Sequence, residues 1–177
     1  GVGGSEILVN STTPGDQYAS SIGVAADGSF VIAWAGNGSG DSAGIFFQKF
    51  SSTGTRIGSE QRVNSSSTNI QYDPSIAVGQ DGQFMVVWDD TTGTHGRRFN
   101  ASGGALDGND LLIHADVTSG NADVATNGTG DYHIVWRTTG GGDGSGRGLW
   151  RLSLGAAETS PGTPQQVTTD TINDQTE

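Results

Sequence analysis

Apolar and polar positions along the chain recur in one order of short runs. Asp81-Gly82 leads, one residue on, into Phe84-Met85-Val86-Val87-Trp88, and Asp27-Gly28 leads likewise into Phe30-Val31-Ile32-Ala33-Trp34. Asn127-Gly128, with two extra loop residues, leads into Tyr132-His133-Ile134-Val135-Trp136. A short apolar run precedes each turn: Ile22 to Ala25, Ile76 to Val78, and Ala122 to Ala125. Asp-Gly and Asn-Gly supply the positive φ angles of a two-residue hairpin turn. The β-branched and aromatic residues that follow favour a pleated strand. The pattern predicts three hairpins. Side chains alternate along a strand, so Phe84, Val86 and Trp88 face one way and Met85 and Val87 the other. Both faces are apolar, and this strand is expected to be covered on both sides. Residues 30–34 and 132–136 share the pattern apart from His133, which is expected to pack as a strand residue.

Two more strands complete a unit. An opening strand is expected at Glu6 to Asn10, Glu60 to Asn64, Asp110 to His114 and Gln165 to Thr168. A closing strand is expected at Gly44 to Phe50, Thr94 to Phe99 and Gly148 to Leu154. With Val9, Val63, Ile113 and Val167 as markers, successive units start 54, 50 and 54 residues apart. Eight places after each marker stand Gln17, Gln71, Asn121 and Gln175, a matched polar position suited to tying a loop to a neighbouring unit. The repeats are 1–58, 59–108 and 109–163, with 164–177 supplying the first strand of a further one.

Four short strands in about 50 residues is the pattern of a β-propeller blade. The fold class expected is all-β: propeller blades, three four-stranded antiparallel repeats plus the first strand of a fourth, in a larger or oligomeric ring. Blades stack face to face, which accounts for a strand apolar on both sides. A β-sandwich array is the alternative, but it calls for polar residues on alternate outward positions. Closed propellers have about four to eight blades. Three repeats leave two apolar flanks open, so the chain is expected to be part of a longer one or to complete its ring with other copies.

The pattern Gly58-Ser59-Glu60-x-x-Val63-Asn64, Gln71, Asp73-Pro74-Ser75-Ile76-Ala77, Asp81-Gly82-x-Phe84-x-x-x-Trp88 resembles a repeat of very large secreted bacterial surface and adhesin-like proteins. Such proteins often also carry calcium-binding toxin-type repeats. The resemblance covers nearly the whole chain, although the third repeat lacks the Pro-Ser step. It implies a propeller and an extracellular or cell-surface location. It implies no defined activity.

Composition agrees with many short strands and turns. Of 177 residues, 30 are Gly, and 32% are hydrophobic. No window shows helical periodicity, and no run is long enough to span a membrane. The formal net charge is −11 and Lys49 is the only lysine, which disfavours nucleic acid and anionic membrane as partners. Cysteine is absent, which removes disulfides and thiolate metal sites. The partners expected are other repeats of the same chain or copies of itself, with surface glycans as the alternative.

Candidate chemistry is sparse. Calcium is the one cofactor considered: the loops after each Trp place Asp41, Asp89, Asp90 and Asp143 among Gly and other oxygen-bearing residues, but without the alternating spacing of a calcium loop. A solvated loop explains them as well. Trp34, Trp88 and Trp136 hold one repeat position and read as packing between blades. Trp150, Tyr18 and Tyr72 lie outside it, out of register with one another, and are the candidates for stacking on sugars. His95, His114 and His133 fall at unrelated places and make no metal set by spacing. No catalytic residues are assigned: the chain has no Gly-x-Ser-x-Gly elbow and no phosphate loop, and its Trp lies six places after the turn Gly, outside the spacing of sialidase-type turns. The functional expectation is a non-catalytic structural or adhesive scaffold, then a lectin-like propeller, then a hydrolase fragment.

Overall fold

The computed structural model describes residues 5–116, 119–128, 130–139, 148–156 and 158–167. Among them the chain forms β1 (Gln17–Val24), β2 (Phe30–Gly38), β3 (Asp41–Phe50), β4 (Arg56–Arg62), β5 (Tyr72–Val78), β6 (Phe84–Asp90), β7 (Gly93–Phe99), β8 (Leu111–His114), β9 (Ser119–Thr126), β10 (Tyr132–Thr138), β11 (Gly148–Leu154) and β12 (Gln165–Gln166), and no helix. They make three antiparallel sheets of four strands each, in chain order: β1-β2-β3-β4 (sheet 1), β5-β6-β7-β8 (sheet 2) and β9-β10-β11-β12 (sheet 3). No sheet closes into a ring.

The Asp-Gly turns are one residue longer than expected. The Ala25 N–H donates to Ser29 O at 2.8 Å and the Gly28 N–H to Ala25 O at 3.0 Å; Gly79, Gly82 and Gln83 repeat the arrangement. Only the glycine is left-handed, Gly28 at φ +81° and Gly82 at +80°. The aspartate instead accepts the N–H two residues on, Asp27 from Ser29 and Asp81 from Gln83. This is the three-residue hairpin loop, a type I turn closed by a left-handed residue. Ser51–Gly54 and Asn100–Gly103 bend the chain in the same way before the fourth strand or its equivalent.

Sequence repeat and sheet are out of phase by one strand. Residues 60–62 and 111–114, expected to open repeats 2 and 3, lie in β4 and β8, the last strands of sheets 1 and 2. Residues 165–166 likewise close sheet 3. Glu6–Asn10, their equivalent, forms no strand, because the chain offers no third strand for it to pair with among the described residues. A single-sequence reading cannot tell whether a strand pairs forward or backward along the chain.

The sheets stack face to face. Phe84, Val86 and Trp88 of β6 pack with Val31, Ala33, Ile45 and Phe47 of sheet 1. Met85 and Val87, on the other side of β6, pack with Val124, Ile134, Trp136 and Leu152 of sheet 3. All seven residues of β6 are buried, as its two apolar faces require. The two-sided cover does not extend to β10. Tyr132, Ile134 and Trp136 are buried, while His133 and Val135 are exposed, because no described sheet lies beyond sheet 3. His133 is therefore not a packed residue; its Nδ1 lies 2.9 Å from Ser153 Oγ on that open face.

The first strands lie next to one another: β5 is in close contact with β1, and β9 with β5. Each first strand carries a bulge where it crosses the Trp strand, with one residue forced to positive φ: Ala19 at 51°, Asp73 at 50° and Asn121 at 56°. This shifts an alignment made from sequence. Asn121 matches Ala19 and Asp73, while the place of Gln17 and Gln71 falls to Ser119. The fourth member expected, Gln175, lies outside the described residues.

Candidate functional site

Three kinds of link recur at equivalent positions, two of them at both junctions between sheets. The first joins the first strands. Ser21 Oγ accepts the Ile76 N–H at 3.3 Å, and Ser75 Oγ accepts the Val124 N–H at 3.4 Å. Ser75 also donates to Asp123, which holds the same place in sheet 3. The second is a cation on the third strand. Lys49 Nζ donates to Ala101 O in the turn after β7. Arg98, its equivalent in sheet 2, donates to Gly155 O at 3.2 Å and Ala156 O at 3.1 Å in the turn after β11. Sheet 3 has Ser153 at that position. The third is a carboxylate that caps the chain as it leaves the preceding strand position. Glu60 Oε2 accepts the Ser11 and Thr12 N–H groups, and Asp110 accepts those of Ser65 and Ser66. Burial works to raise the Glu60 carboxyl, but these hydrogen bonds bring it below its ordinary value.

An Asn–Gln clip shapes each entry into a sheet. Asn64 Nδ2 lies 3.3 Å from Gln71 Oε1, and Asn10 Nδ2 lies 2.9 Å from Gln17 Oε1. Gln17 and Gln71, expected to tie a loop to a neighbouring repeat, bind instead within their own, to the Asn seven places before. In the third repeat His114 stands where Asn would, and its ring lies 5.3 Å from that of Trp136.

The calcium candidates are held apart by their own hydrogen bonds. Asp41 Oδ2 accepts from Asn64 Nδ2 at 2.7 Å, inside the clip. Asp89 and Asp90 are neighbours in β6, but Asp89 bonds Thr94 and the bulge of sheet 3, whereas Asp90 bonds Thr92 and His95. Asp143 lies outside the described residues. Among the described residues no three His, Asp or Glu side chains come together as a metal site.

Among the described residues, Asp90, Thr92 and His95 form a cluster of the side-chain types that catalytic sites use. It lines a cleft of about 360 Å³ between the connecting segment 64–71 and sheet 2. His95 Nε2 lies 3.1 Å from Asp90 Oδ1 and 3.0 Å from Thr92 Oγ1, and Thr92 itself donates to Asp90 at 2.6 Å. Both oxygens meet the same ring nitrogen. A relay needs the carboxylate on one nitrogen and the hydroxyl on the other, and this set does not have that arrangement. Burial works to raise the Asp90 carboxyl, and the Thr92 hydrogen bonds with the nearby His95 bring it below its usual value.

Of the sugar-stacking candidates, Tyr18 and Tyr72 share a position, held by Gly120 in sheet 3, and Trp150 stands at another. Tyr18 pairs with Ala35 and Tyr72 with Asp89, each the residue after the Trp. Trp150 stands opposite Trp136 as Phe46 stands opposite Trp34 and His95 opposite Trp88. Two of these cross-strand pairs stack, with ring centroids 6.4 Å apart for Trp34–Phe46 and 5.9 Å for Trp88–His95. Loops of unequal length after each Trp hid the equivalence of Trp150, Phe46 and His95 in the sequence. Tyr72 is half-buried and its hydroxyl donates to Asp90 O at 3.3 Å. Tyr18 is exposed at the rim of a cavity of about 460 Å³ between Ile7–Asn10 and sheet 1.

Compared with protein-family models and with curated proteins, the chain matches none.

Proposed function

We propose that the chain is a stretch of β-propeller-type scaffold from a secreted or cell-surface bacterial protein, with a structural or adhesive role and no catalysis. The observation that carries this reading is the recurrence of the inter-sheet links. The same serine and cation positions join sheet 1 to sheet 2 and sheet 2 to sheet 3, and Asp110 ties the exit of sheet 1 to sheet 2 as Glu60 ties residues 11–12 to sheet 1. A repeat that spends its polar side chains on its neighbours is built to propagate a rigid stack. The reading assigns no cofactor, since Asp41, Asp89 and Asp90 are each accounted for by internal hydrogen bonds.

Electron-microscopic imaging of the full-length product tests the architecture. Sheets set radially about one axis support the proposal; sheets continuing in a straight row overturn it. The lectin reading draws on Tyr18, exposed beside the amides of Asn10 and Gln17 at the rim of the cavity. A glycan-array hit that disappears in Tyr18→Ala would replace the scaffold reading with that one.

A further inference from the structure

We propose that the outer face of sheet 1 receives sheet 3 of a second copy of this chain, head to tail. The inference rests on the propeller-type reading and names the partner and the surfaces.

One interface occurs twice inside the chain. Its receiving side is Ile76, Val86 and Trp88 in sheet 2, and Val124, Ile134 and Trp136 in sheet 3, all buried. Sheet 1 presents the equivalent Ile22 and half-buried Ile32 outward, Ile22 58% exposed where Ile76 is 6%, while the equivalent Trp34 is already buried at the edge of this face. Its delivering side is centred on Ala33 in sheet 1 and Val87 in sheet 2, both 0% exposed. Val135 holds that place in sheet 3 and is 45% exposed. The two open faces are thus the two halves of a contact the chain already makes with itself, and a second copy brings them together in the same order. The surfaces differ, so the contact is heterologous and grows into a ring or an open filament.

The strand next to the contact also has a donor. Val9 stands to sheet 1 as Val63 stands to sheet 2, with the same Asn–Gln clip and carboxylate cap after it. Ile7–Asn10 therefore waits at the fourth-strand seat of a sheet delivered from outside. In sheet 3 that seat is held by β12 through only two residue pairs. The incoming copy exchanges β12 for the receiving copy's Ile7–Asn10. Ser153 supplies no cation to clamp the next turn, as Lys49 and Arg98 do, so this contact is weaker than the internal ones and reversible.

Sedimentation of the 177-residue chain and of two surface variants tests this. Wild type is expected to gain mass with concentration, past that of a dimer. Ile22→Glu spoils the receiving face and Val135→Glu the delivering face; each alone is expected to stay monomeric, and their mixture to form a one-to-one dimer. A wild type that stays monomeric, or a Val135→Glu that dimerises by itself, overturns the proposal. Fluorescence quenching separates the two failures. If the monomer shields Trp88, only the docking fails; if Trp88 is accessible, the stacking of sheets fails with it.

Discussion

Thr94 Oγ1 donates to Asp89 Oδ1 at 2.6 Å, and both residues are fully buried (0% exposed) within sheet 2. The second oxygen of Asp89 accepts the Ala122 N–H of sheet 3 at 3.4 Å. Burial pushes this carboxyl above its ordinary value, against the pull of those hydrogen bonds. A raised folded value means that its support for the fold is full below the ordinary carboxylate range and is lost as pH rises through the folded value. At neutral pH the charge works against folding. Asp89→Asn keeps an acceptor for Ala122 and lets the Thr94 hydroxyl turn to accept from the amide. It is expected to raise the denaturation midpoint at neutral pH and to narrow the difference from mildly acidic pH. Asp89→Ala removes the acceptor of the buried Ala122 N–H and is expected to cost about 1–3 kcal/mol. Equal losses in the two variants would show that the charge itself is needed.

Arg98 and Asp107 form a buried ion pair at 2.6 Å, and Arg98 also donates to Glu158 O at 2.6 Å across to sheet 3. Removing one partner of a buried pair leaves an uncompensated charge, at about 3–5 kcal/mol. Asp107→Ala is expected to lose that much in chemical denaturation. Arg98→Met with Asp107→Leu, which removes both charges, is expected to recover most of it. Hydrogen exchange should nonetheless rise at Gly155, Ala156 and Glu158 in the double variant, because the clamp on that turn is gone.

Much of this fold is legible before any coordinates. Turn chemistry places the hairpins, and the unbroken apolar run of Phe84–Trp88 announces a strand covered on both sides. Pairing direction is not written locally: Glu60 and Asp110 open a repeat by sequence period yet sit where one sheet ends. The bulges at Ala19, Asp73 and Asn121 break the period of two. They do not disturb the match of Tyr18 with Tyr72, which stand 54 residues apart like Val9 and Val63; the unequal loops after each Trp hid the match of Trp150 with Phe46 and His95. The inter-sheet cation was not read either. Lys49 and Arg98 differ in type, and only the backbone register places them opposite equivalent turns.

Gly93 shows where the backbone tolerates no side chain. Its φ is +143°, and a Cβ there would lie 2.0 Å from His114 O. The clash falls on the β7–β8 pairing, which then has to open. Gly82, at φ +80°, would meet only the Ala101 Cβ at 3.2 Å. Gly82→Ala is expected to cost about 1 kcal/mol from left-handed strain. Gly93→Ala is expected to cost several times that and to expose the β8 amides to hydrogen exchange. Similar midpoints for the two variants would contradict the close approach.

Tyr132 links the alkaline limit of the fold to its core. It starts β10 at the position that Phe30 and Phe84 hold in the other sheets, and it is buried against sheet 2. Burial, with a smaller push from Asp81, raises its hydroxyl from 10.0 to about 12. Below pH 10 the folded and unfolded chains both keep the proton. Above it the unfolded chain releases the proton first, so stability falls steadily until the folded group ionises near pH 12. The loss over that window is about 2–3 kcal/mol. Tyr132→Phe, whose ring already fits the two sister positions, is expected to fold at neutral pH and to remove this part of the alkaline decline. Denaturation midpoints measured at neutral pH and across the alkaline window would check it. A decline in Tyr132→Phe as steep as in wild type would place the titrating group elsewhere.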